Sequence, residues 1–267
     1  LHSVLTNNSP DTSMVLVNIR ANRPTYRSPS HSLSRQCPHS TRPNWGLSVS
    51  TSYRPLMSHD DETITIYSDY VCPFCYLGRK SLAQYQETRD QPLDIEWHPF
   101  DLRRHKRGPD GEIDHAVEDG KDESYFEQAR ENVRKLQSKY GVEEMHNLDD
   151  IPEDIDSFDA QVASLYVRTE SPDSWLAFDE ALFEALWVDG RDIGDADVIA
   201  DVATSVGLDG EEIRLSLDDE ILRGQLDDAF ENAQQAGITG VPTFVYGGHA
   251  ARGAVPPEHL KRLVDGS

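Results

Sequence analysis

The 267-residue chain carries 48 acidic and 25 basic residues, which gives a formal net charge of −23 at pH 7. Nucleic acid and anionic membrane surfaces repel such an excess of negative charge, which argues against both as partners. Hydrophobic residues make up 37% of the chain, enough for the core of one large globular domain or two modest ones.

The start of the chain has a composition of its own. From Leu1 to Leu56 there are six arginines and one acid, Asp11, whereas the remainder holds 19 basic and 47 acidic residues. Serine, proline and asparagine are frequent in this segment, and no periodic apolar face is present. We predict that residues 1–57 form a disordered basic leader outside the native fold, and that the working protein starts at Met57.

The body of the chain, from Met57 onward, combines many carboxylates with only six lysines. A dense carboxylate surface with few lysines is typical of proteins from salt-loving organisms, where it maintains solubility, so we expect a halophilic protein. The apolar run MVLVNI in the leader is too short for a signal peptide or a membrane span. The expected location is therefore cytoplasmic.

A strand–helix–strand pattern opens the periodic part of the sequence. Residues 63–67 alternate between apolar and polar side chains, which predicts a strand. Pro73 suits the first position of a helix, where its missing N–H costs nothing, and the breaker RDQPL ends that helix. Residues 93–97 alternate again. Residues 62–98 are therefore predicted to form one βαβ unit with parallel strands.

A block of helices follows, with almost no strand signal in it. Apolar residues recur at helical spacing from Tyr125 to Tyr140. Further helical runs are predicted over residues 157–169, 174–188, 195–206 and 211–235.

The chain closes with two strands and a helix. Thr243–Tyr246 reads as a strand, and the following Gly247-Gly248 suits a two-residue hairpin turn. A second short strand runs through Arg252, and the consecutive prolines Pro256 and Pro257 begin the last helix.

These segments predict an α/β fold with one small mixed sheet made from the two ends of the body. A βαβ unit alone leaves its sheet partly bare, so the C-terminal strands and helix must return to cover it. We predict that residues 58–102 and 218–267 form this domain. Residues 103–217 are predicted to be an all-helical subdomain inserted between its halves.

The segment SDYVCPFCYLGRK, residues 68–80, places two of the three cysteines at the predicted junction between strand and helix. At the start of a helix, Cys72 faces free backbone N–H groups and the positive end of the helix dipole, and both favour the thiolate. Thiolate, rather than thiol, attacks a disulfide. Cys75 lies nearly one turn further along the same face, where it can close a disulfide with Cys72 as a buried resolving thiol.

Two other uses of the cysteine pair stay open. A zinc site needs two further ligands, for which only His98 and His249 lie near predicted strand ends. A structural disulfide would close a very short loop and therefore stabilise little. Asp69, three residues before Cys72, is a proton shuttle, a solvated turn residue, or a nearby charge that raises the pKa of the thiol. Cys37 is expected to be an unpaired thiol in the leader.

Several features of the chain occur together and in a fixed order: SDYVCPFCYLGRKSL, then WHPFDL after the second strand, then the helical block, then AGITGVPTFVYGGHAARGAVPPEHL. In this combination they resemble the DsbA family of thioredoxin-fold proteins. The likeness is to its FrnE-like branch, neighbour to the 2-hydroxychromene-2-carboxylate isomerases and the kappa-class glutathione transferases. It covers about residues 62–265 and implies a thioredoxin-like fold with a helical insertion.

The resemblance implies a thiol-disulfide oxidoreductase with Cys72 as the nucleophile and Cys75 as the resolving thiol. Pro73 and Phe74 between them would tune the redox potential. No metal is implied, and the disulfide itself would be the redox group, with glutathione as a candidate co-substrate. Substrates would be thiols or disulfides, of proteins or small molecules, and the protein would act as a monomer or homodimer.

Pro242 matches the cis-proline of the family, preceded by Val241, in a loop beside the cysteine pair. The alternative is a trans proline at the first residue of a strand. With a cis bond, the backbone of Val241 would face outward and pair with an extended substrate segment.

Two other functions fit the same scaffold. A glutathione-dependent isomerase or transferase acting on a small aromatic substrate would use the thiolate of bound glutathione, but that branch typically has serine in place of Cys72. A non-catalytic binding module would keep the fold alone. The isomerase is also disfavoured because the Asn-Thr or Asn-Ser and Ala-His of many relatives are replaced here by Asp156, Ser157, Ala160 and Gln161.

Overall fold

The computed structural model describes residues 63–109, 111–118 and 120–266. The predicted leader, the expected start at Met57 and the thiol of Cys37 lie outside the described residues. In chain order the described elements are β1 (Thr63–Ser68), α1 (Pro73–Glu87), β2 (Asp94–Pro99), α2 (Glu123–Tyr140), α3 (Phe158–Glu170), α4 (Pro172–Trp187), α5 (Ala196–Ser205), α6 (Gly210–Ser216), α7 (Glu220–Gln235), β3 (Thr243–Tyr246), β4 (His249–Arg252) and α8 (Pro257–Asp265).

The strands form one mixed sheet in the order β2-β1-β3-β4. β1 and β2 run parallel, with Ile64 opposite Ile95. β3 pairs antiparallel with both β1 and β4, and the predicted glycine turn joins β3 to β4. The predicted order, a βαβ unit, a block of helices and then a hairpin with a final helix, is confirmed.

The sheet packs on a core that follows from the alternation in β1. Ile64 and Ile66 are buried on one face of this strand, where they meet Leu82 of α1 and Leu260 of α8, and Phe244 of β3 joins the same cluster. Burial of each such side chain contributes about 1.5–3 kcal/mol. The sheet therefore holds α1, and with it the two cysteines, in a defined position.

The helical block contains a second and larger core, in which Phe178, Phe183 and Trp187 of α4 are buried. The same cluster includes Tyr70 and Cys75, so the helical block packs directly against the cysteine turn. Among the helices of the described chain, none is both long and apolar enough to cross a membrane.

The prediction of a single helix over residues 211–235 is wrong, because this segment forms two helices, α6 and α7. The break lies at Leu217–Asp219, where the Asp219 carboxylate accepts hydrogen bonds from the backbone N–H groups of Ile221 (2.8 Å) and Leu222 (3.2 Å). An aspartate that caps free N–H groups in this way begins a new helix. The predicted domain boundary at residue 218 stays a prediction, and it falls at the start of α7.

Candidate active site

The turn between β1 and α1 is anchored by side chains from two neighbouring elements. The indole N–H of Trp97 on β2 donates to Ser68 Oγ (2.9 Å), and the indole N–H of Trp187 on α4 donates to the carbonyl of Tyr70 (2.8 Å). The backbone N–H of Phe100 donates to the Ser68 carbonyl (3.0 Å). The sheet and the helical block together fix the path of the chain into the cysteine motif.

Cys72 lies at the N-cap of α1, with an extended backbone (φ −92°, ψ 114°) and Pro73 at the first helical position. Its carbonyl accepts hydrogen bonds from the N–H groups of Cys75 (3.0 Å) and Tyr76 (3.4 Å). As the N-cap residue, Cys72 lies at the positive end of the helix dipole, and its side chain makes no capping hydrogen bond within the described chain. This is the predicted position.

Both cysteines are unbonded thiols, and both are buried: Cys72 is 3% exposed and Cys75 is 0% exposed. Burial raises the pKa of the Cys75 thiol well above its usual value, and the neighbouring Cys72 adds to the rise. The backbone amide of Asp69 lowers that pKa in part. Cys75 therefore keeps its proton in the resting pair.

The loop before β3 lies against Cys72, as the resemblance implies. The Cys72 thiol donates to the carbonyl of Val241, with 3.7 Å between sulfur and oxygen, and the Val241–Pro242 peptide bond is cis. The Pro242 carbonyl in turn accepts from the backbone N–H of Gly253 (2.8 Å). The hydrogen bond from Cys72 to Val241 therefore joins residues that are 169 positions apart in the chain.

Gly78 on α1 is a site residue that was not predicted from the sequence. A Cβ at this position would lie 3.0 Å from Pro242 Cγ and 3.1 Å from Phe244 Cζ, closer than ordinary packing allows. The glycine therefore permits the proline loop to pack directly on the helix. A lone glycine inside a predicted helix was the available signal, since such a residue usually has a packing reason.

Asp69 is fully buried, 1% exposed, rather than solvated in a turn. One carboxylate oxygen accepts from the Ser157 hydroxyl (2.5 Å) and the Val71 N–H (3.3 Å), and the other accepts from the Leu102 N–H (2.8 Å). Burial raises the pKa of this carboxyl to about 6, although the Ser157 and Leu102 hydrogen bonds oppose the rise. Asp69 can therefore exchange a proton near neutral pH.

Phe74 is half-buried and packs against the larger core, while Pro73 is buried at the first turn of α1.

Of the two histidines considered as metal ligands, His98 stacks on Tyr67 with ring centroids 5.0 Å apart, and His249 is exposed at the start of β4. Within residues 63–266, as far as they are described, no group of three or more His, Cys, Asp or Glu side chains is arranged to hold a metal ion.

Two further residues reach the site from the helical block. Ser157 immediately precedes α3, and Gln161 lies in its first turn. In the sequence both stand out only as differences from related proteins, with no predicted role. Both are buried and both contact Asp69. The helical block thus supplies part of the site, through contacts that join residues about ninety positions apart.

The sheet order, the Cys-Pro-Phe-Cys turn at a helix start and the proline loop beside it define a protein of the thioredoxin-fold class. The family model described as the DSBA-like thioredoxin domain matches residues 63–265. The chain therefore belongs to this family, which confirms the predicted membership and fold class.

Known proteins resemble the chain over the same region. The uncharacterised protein YwbO of Bacillus subtilis (strain 168) is 28% identical over 204 residues, which cover 75% of this chain and 94% of YwbO. A probable DsbA oxidoreductase from Streptomyces coelicolor is similar in structure, with a TM-score of 0.59, 21% identity and coverage of 77% of this chain and 90% of the other. A 2-hydroxychromene-2-carboxylate isomerase gives a TM-score of 0.60 at 19% identity, covering 76% and 93%.

Proposed function

We propose that the protein is a thiol-disulfide oxidoreductase that cycles Cys72 and Cys75 between dithiol and disulfide. The observation that carries this proposal is the placement of the two thiols. Cys72 occupies the N-cap position of α1 beside the Val241 carbonyl, and Cys75 is fully buried in the first turn of the same helix. Family membership supports the fold, whereas the chemistry rests on these side chains.

The cycle begins with nucleophilic attack by Cys72. Its thiolate attacks one sulfur of a substrate disulfide, a mixed disulfide forms, and the other substrate sulfur leaves as a thiolate. The free N–H groups and dipole at the start of α1 stabilise the negative charge on Cys72. In the protonated state the Val241 carbonyl accepts the thiol hydrogen.

Cys75 completes the exchange. Its sulfur attacks Cys72 Sγ, the intramolecular disulfide forms, and the remaining substrate sulfur leaves as a thiolate, so two electrons pass from enzyme to substrate. In the mixed disulfide Cys72 has neither charge nor S–H, which removes its share of the raised pKa of Cys75. The Cys75 proton passes to Asp69, which acts as the proton shuttle. A thiol reductant restores the pair, and the reverse sequence oxidises a dithiol substrate.

The surrounding residues recognise the substrate and set the potential. The Val241 backbone and Pro242 receive an extended segment of a protein, or a small thiol such as glutathione, beside Cys72. Pro73 and Phe74, between the cysteines, tune the balance between dithiol and disulfide. A cytoplasmic location fits this role, since a cycling pair is the expected use of two close cysteines in a reducing compartment.

Serine variants of the two cysteines test the proposal. Cys72→Ser should abolish disulfide exchange, because it removes the attacking sulfur and the remaining thiol of the pair, Cys75, is fully buried. Cys75→Ser should instead accumulate mixed disulfides with substrate, detected by mass spectrometry of the non-reduced protein. Cys37→Ser, which removes the third thiol of the chain, is the matched control and should exchange at the wild-type rate.

Two results would contradict the proposal. Normal turnover by Cys75→Ser would remove the resolving role. Full retention of the cellular role by Cys72→Ser would favour a binding module, and a glutathione-dependent isomerisation that survives in Cys72→Ser would favour the isomerase alternative.

A further inference from the structure

The buried carboxyl group of Asp69 is surrounded by donors from three segments of the chain. Val71 donates from the cysteine turn, Leu102 from the segment after β2, and Ser157 from the start of α3. The side-chain amide of Gln161 also approaches, with 3.5 Å between Nε2 and Asp69 Oδ1. Such a set of neutral donors without a cation suits a carboxylate that must gain and lose a proton.

Gln161 adopts an orientation that packing alone does not explain. Its Nε2 also lies within reach of Ser157 Oγ (3.2 Å) and the Phe100 carbonyl (3.3 Å). Its Oε1 is buried and has no donor within the described part of the chain. A buried acceptor without a partner is unfavourable, so the amide gives up one interaction in order to direct its N–H₂ towards Asp69 and Ser157.

We propose that Ser157 and Gln161 are positioning residues that hold the Asp69 carboxylate ionised and oriented for proton exchange with Cys75. The proposal deepens the proposed function and rests on it for the identity of the proton donor. Ser157 provides the short hydrogen bond, and Gln161, one turn later, restrains both the serine hydroxyl and the carboxylate. Both residues act through Asp69 and not on the substrate itself.

The other charged or titratable groups around Asp69 belong to two clusters. Cys75 interacts electrostatically with it from the first turn of α1, and Asp101 interacts with it from the segment after β2. The charge of Asp101 is balanced by Arg107, whose Nε lies 2.9 Å from Asp101 Oδ2 and whose other nitrogens pair with Asp156. The variants below leave all these groups unchanged.

The rate of mixed-disulfide resolution as a function of pH measures the state of Asp69. Asp69 must be ionised to accept the Cys75 proton, so the rate should rise with pH through an acid limb. Ser157→Ala removes a donor to the carboxylate and should displace that limb upwards by about one pH unit, which is about a fivefold loss of rate at pH 6. Ser157→Thr keeps the hydroxyl and should restore the wild-type limb.

Gln161→Leu distinguishes a positioning role from a structural one. It removes the donor and also the unpaired acceptor, so the limb should move upwards while the thermal unfolding midpoint is unchanged or raised. Gln137→Leu is the matched control. Gln137 is also buried, but its Nε2 donates to the Met145 carbonyl (2.7 Å), away from Asp69. Its replacement should lower the midpoint and leave the acid limb in place.

A direct titration separates failure of this proposal from failure of the proposed function. The ¹³Cγ resonance of Asp69, followed by NMR against pH, should show a higher midpoint in Ser157→Ala and in Gln161→Leu than in the wild type. Unchanged midpoints would overturn the positioning role, even if the wild type exchanges disulfides normally. Shifted midpoints in a protein without exchange activity would support the positioning role and refute the oxidoreductase.

Discussion

Two buried carboxyl groups in this molecule, Asp69 and Asp179, have opposite surroundings. Asp179 on α4 pairs with the guanidinium of Arg79 on α1 and accepts from the Tyr70 hydroxyl (3.0 Å). Burial raises its pKa, and Arg79 and Tyr70 oppose the rise. Within the described residues, the donors to Asp69 are all neutral and come from Ser157, Gln161 and the backbone.

The difference in their partners indicates that the two carboxyl groups have different roles. The guanidinium of Arg79 favours the ionised form of Asp179, and the pair joins the helical block to α1 as part of the architecture. A carboxyl held by neutral donors can change its charge without leaving a buried cation unpaired. The same fold therefore contains one carboxyl group suited to holding structure and another suited to transferring a proton.

The largest expected effect is the loss of folding stability when Asp179 is replaced. Asp179→Ala leaves Arg79 without its partner in a buried setting, and breaking such a pair costs about 3–5 kcal/mol. Denaturant unfolding monitored by fluorescence would measure this loss. Glu180→Ala is the matched control, because Glu180 is about half exposed and pairs with Lys80 at the surface, where the loss should stay below about 1 kcal/mol. Equal losses in both variants would show that the Arg79 pair is not special.

The pH dependence of stability should report the raised pKa of Asp69. As pH rises from the ordinary value of 3.8 towards about 6, the unfolded chain releases this proton first, so the folded state binds more protons and its stability falls. The full difference corresponds to about 3 kcal/mol, present below pH 4 and lost above pH 6. Subtracting the stability–pH curve of Asp69→Asn from that of the wild type isolates the contribution of Asp69. A flat difference would mean that Asp69 titrates like an exposed carboxyl.

Asp69→Asn should slow mixed-disulfide resolution about 100-fold, since general acid–base catalysis by a positioned group contributes factors of this order. The protein should remain folded, because the asparagine carries no charge to bury. Single-turnover mixing of the reduced enzyme with a small disulfide measures the step. Asp94→Asn, at the exposed start of β2, is the control. A wild-type rate in Asp69→Asn would remove the proton shuttle and leave the roles of the cysteines intact.

The elements with local signals could be predicted from sequence. Alternation located β1, Pro73 located the start of α1, and the glycine turn located the hairpin, because each depends on neighbouring residues. The split between α6 and α7 was missed although Asp219 carried the signal of a helix cap. The identity of the cysteine pair followed from the spacing and the family resemblance together.

The surroundings of Asp69 could not be read from the sequence. Its contacts with Ser157 and Gln161 span 88 and 92 positions, and no periodicity links such distant residues. A carboxylate three residues before a cysteine looks the same whether it is solvated or buried. Its burial depends on how the helical block packs against the cysteine turn, which is a tertiary property.

The smallest expected effect is the dependence of stability on salt, which should differ between buried and surface carboxylates. The described chain carries many exposed carboxylates, and their mutual repulsion is screened as the Debye length falls from about 10 Å at 0.1 M salt to about 3 Å at 1 M. Wild type and Asp69→Asn should therefore both gain stability with salt, on the order of 1 kcal/mol. The difference between them should stay constant, because the charge of Asp69 is shielded by protein rather than by ions. A difference that shrinks with salt, measured by denaturant unfolding at matched pH, would show that water reaches Asp69 and that its neutral donors do not isolate it.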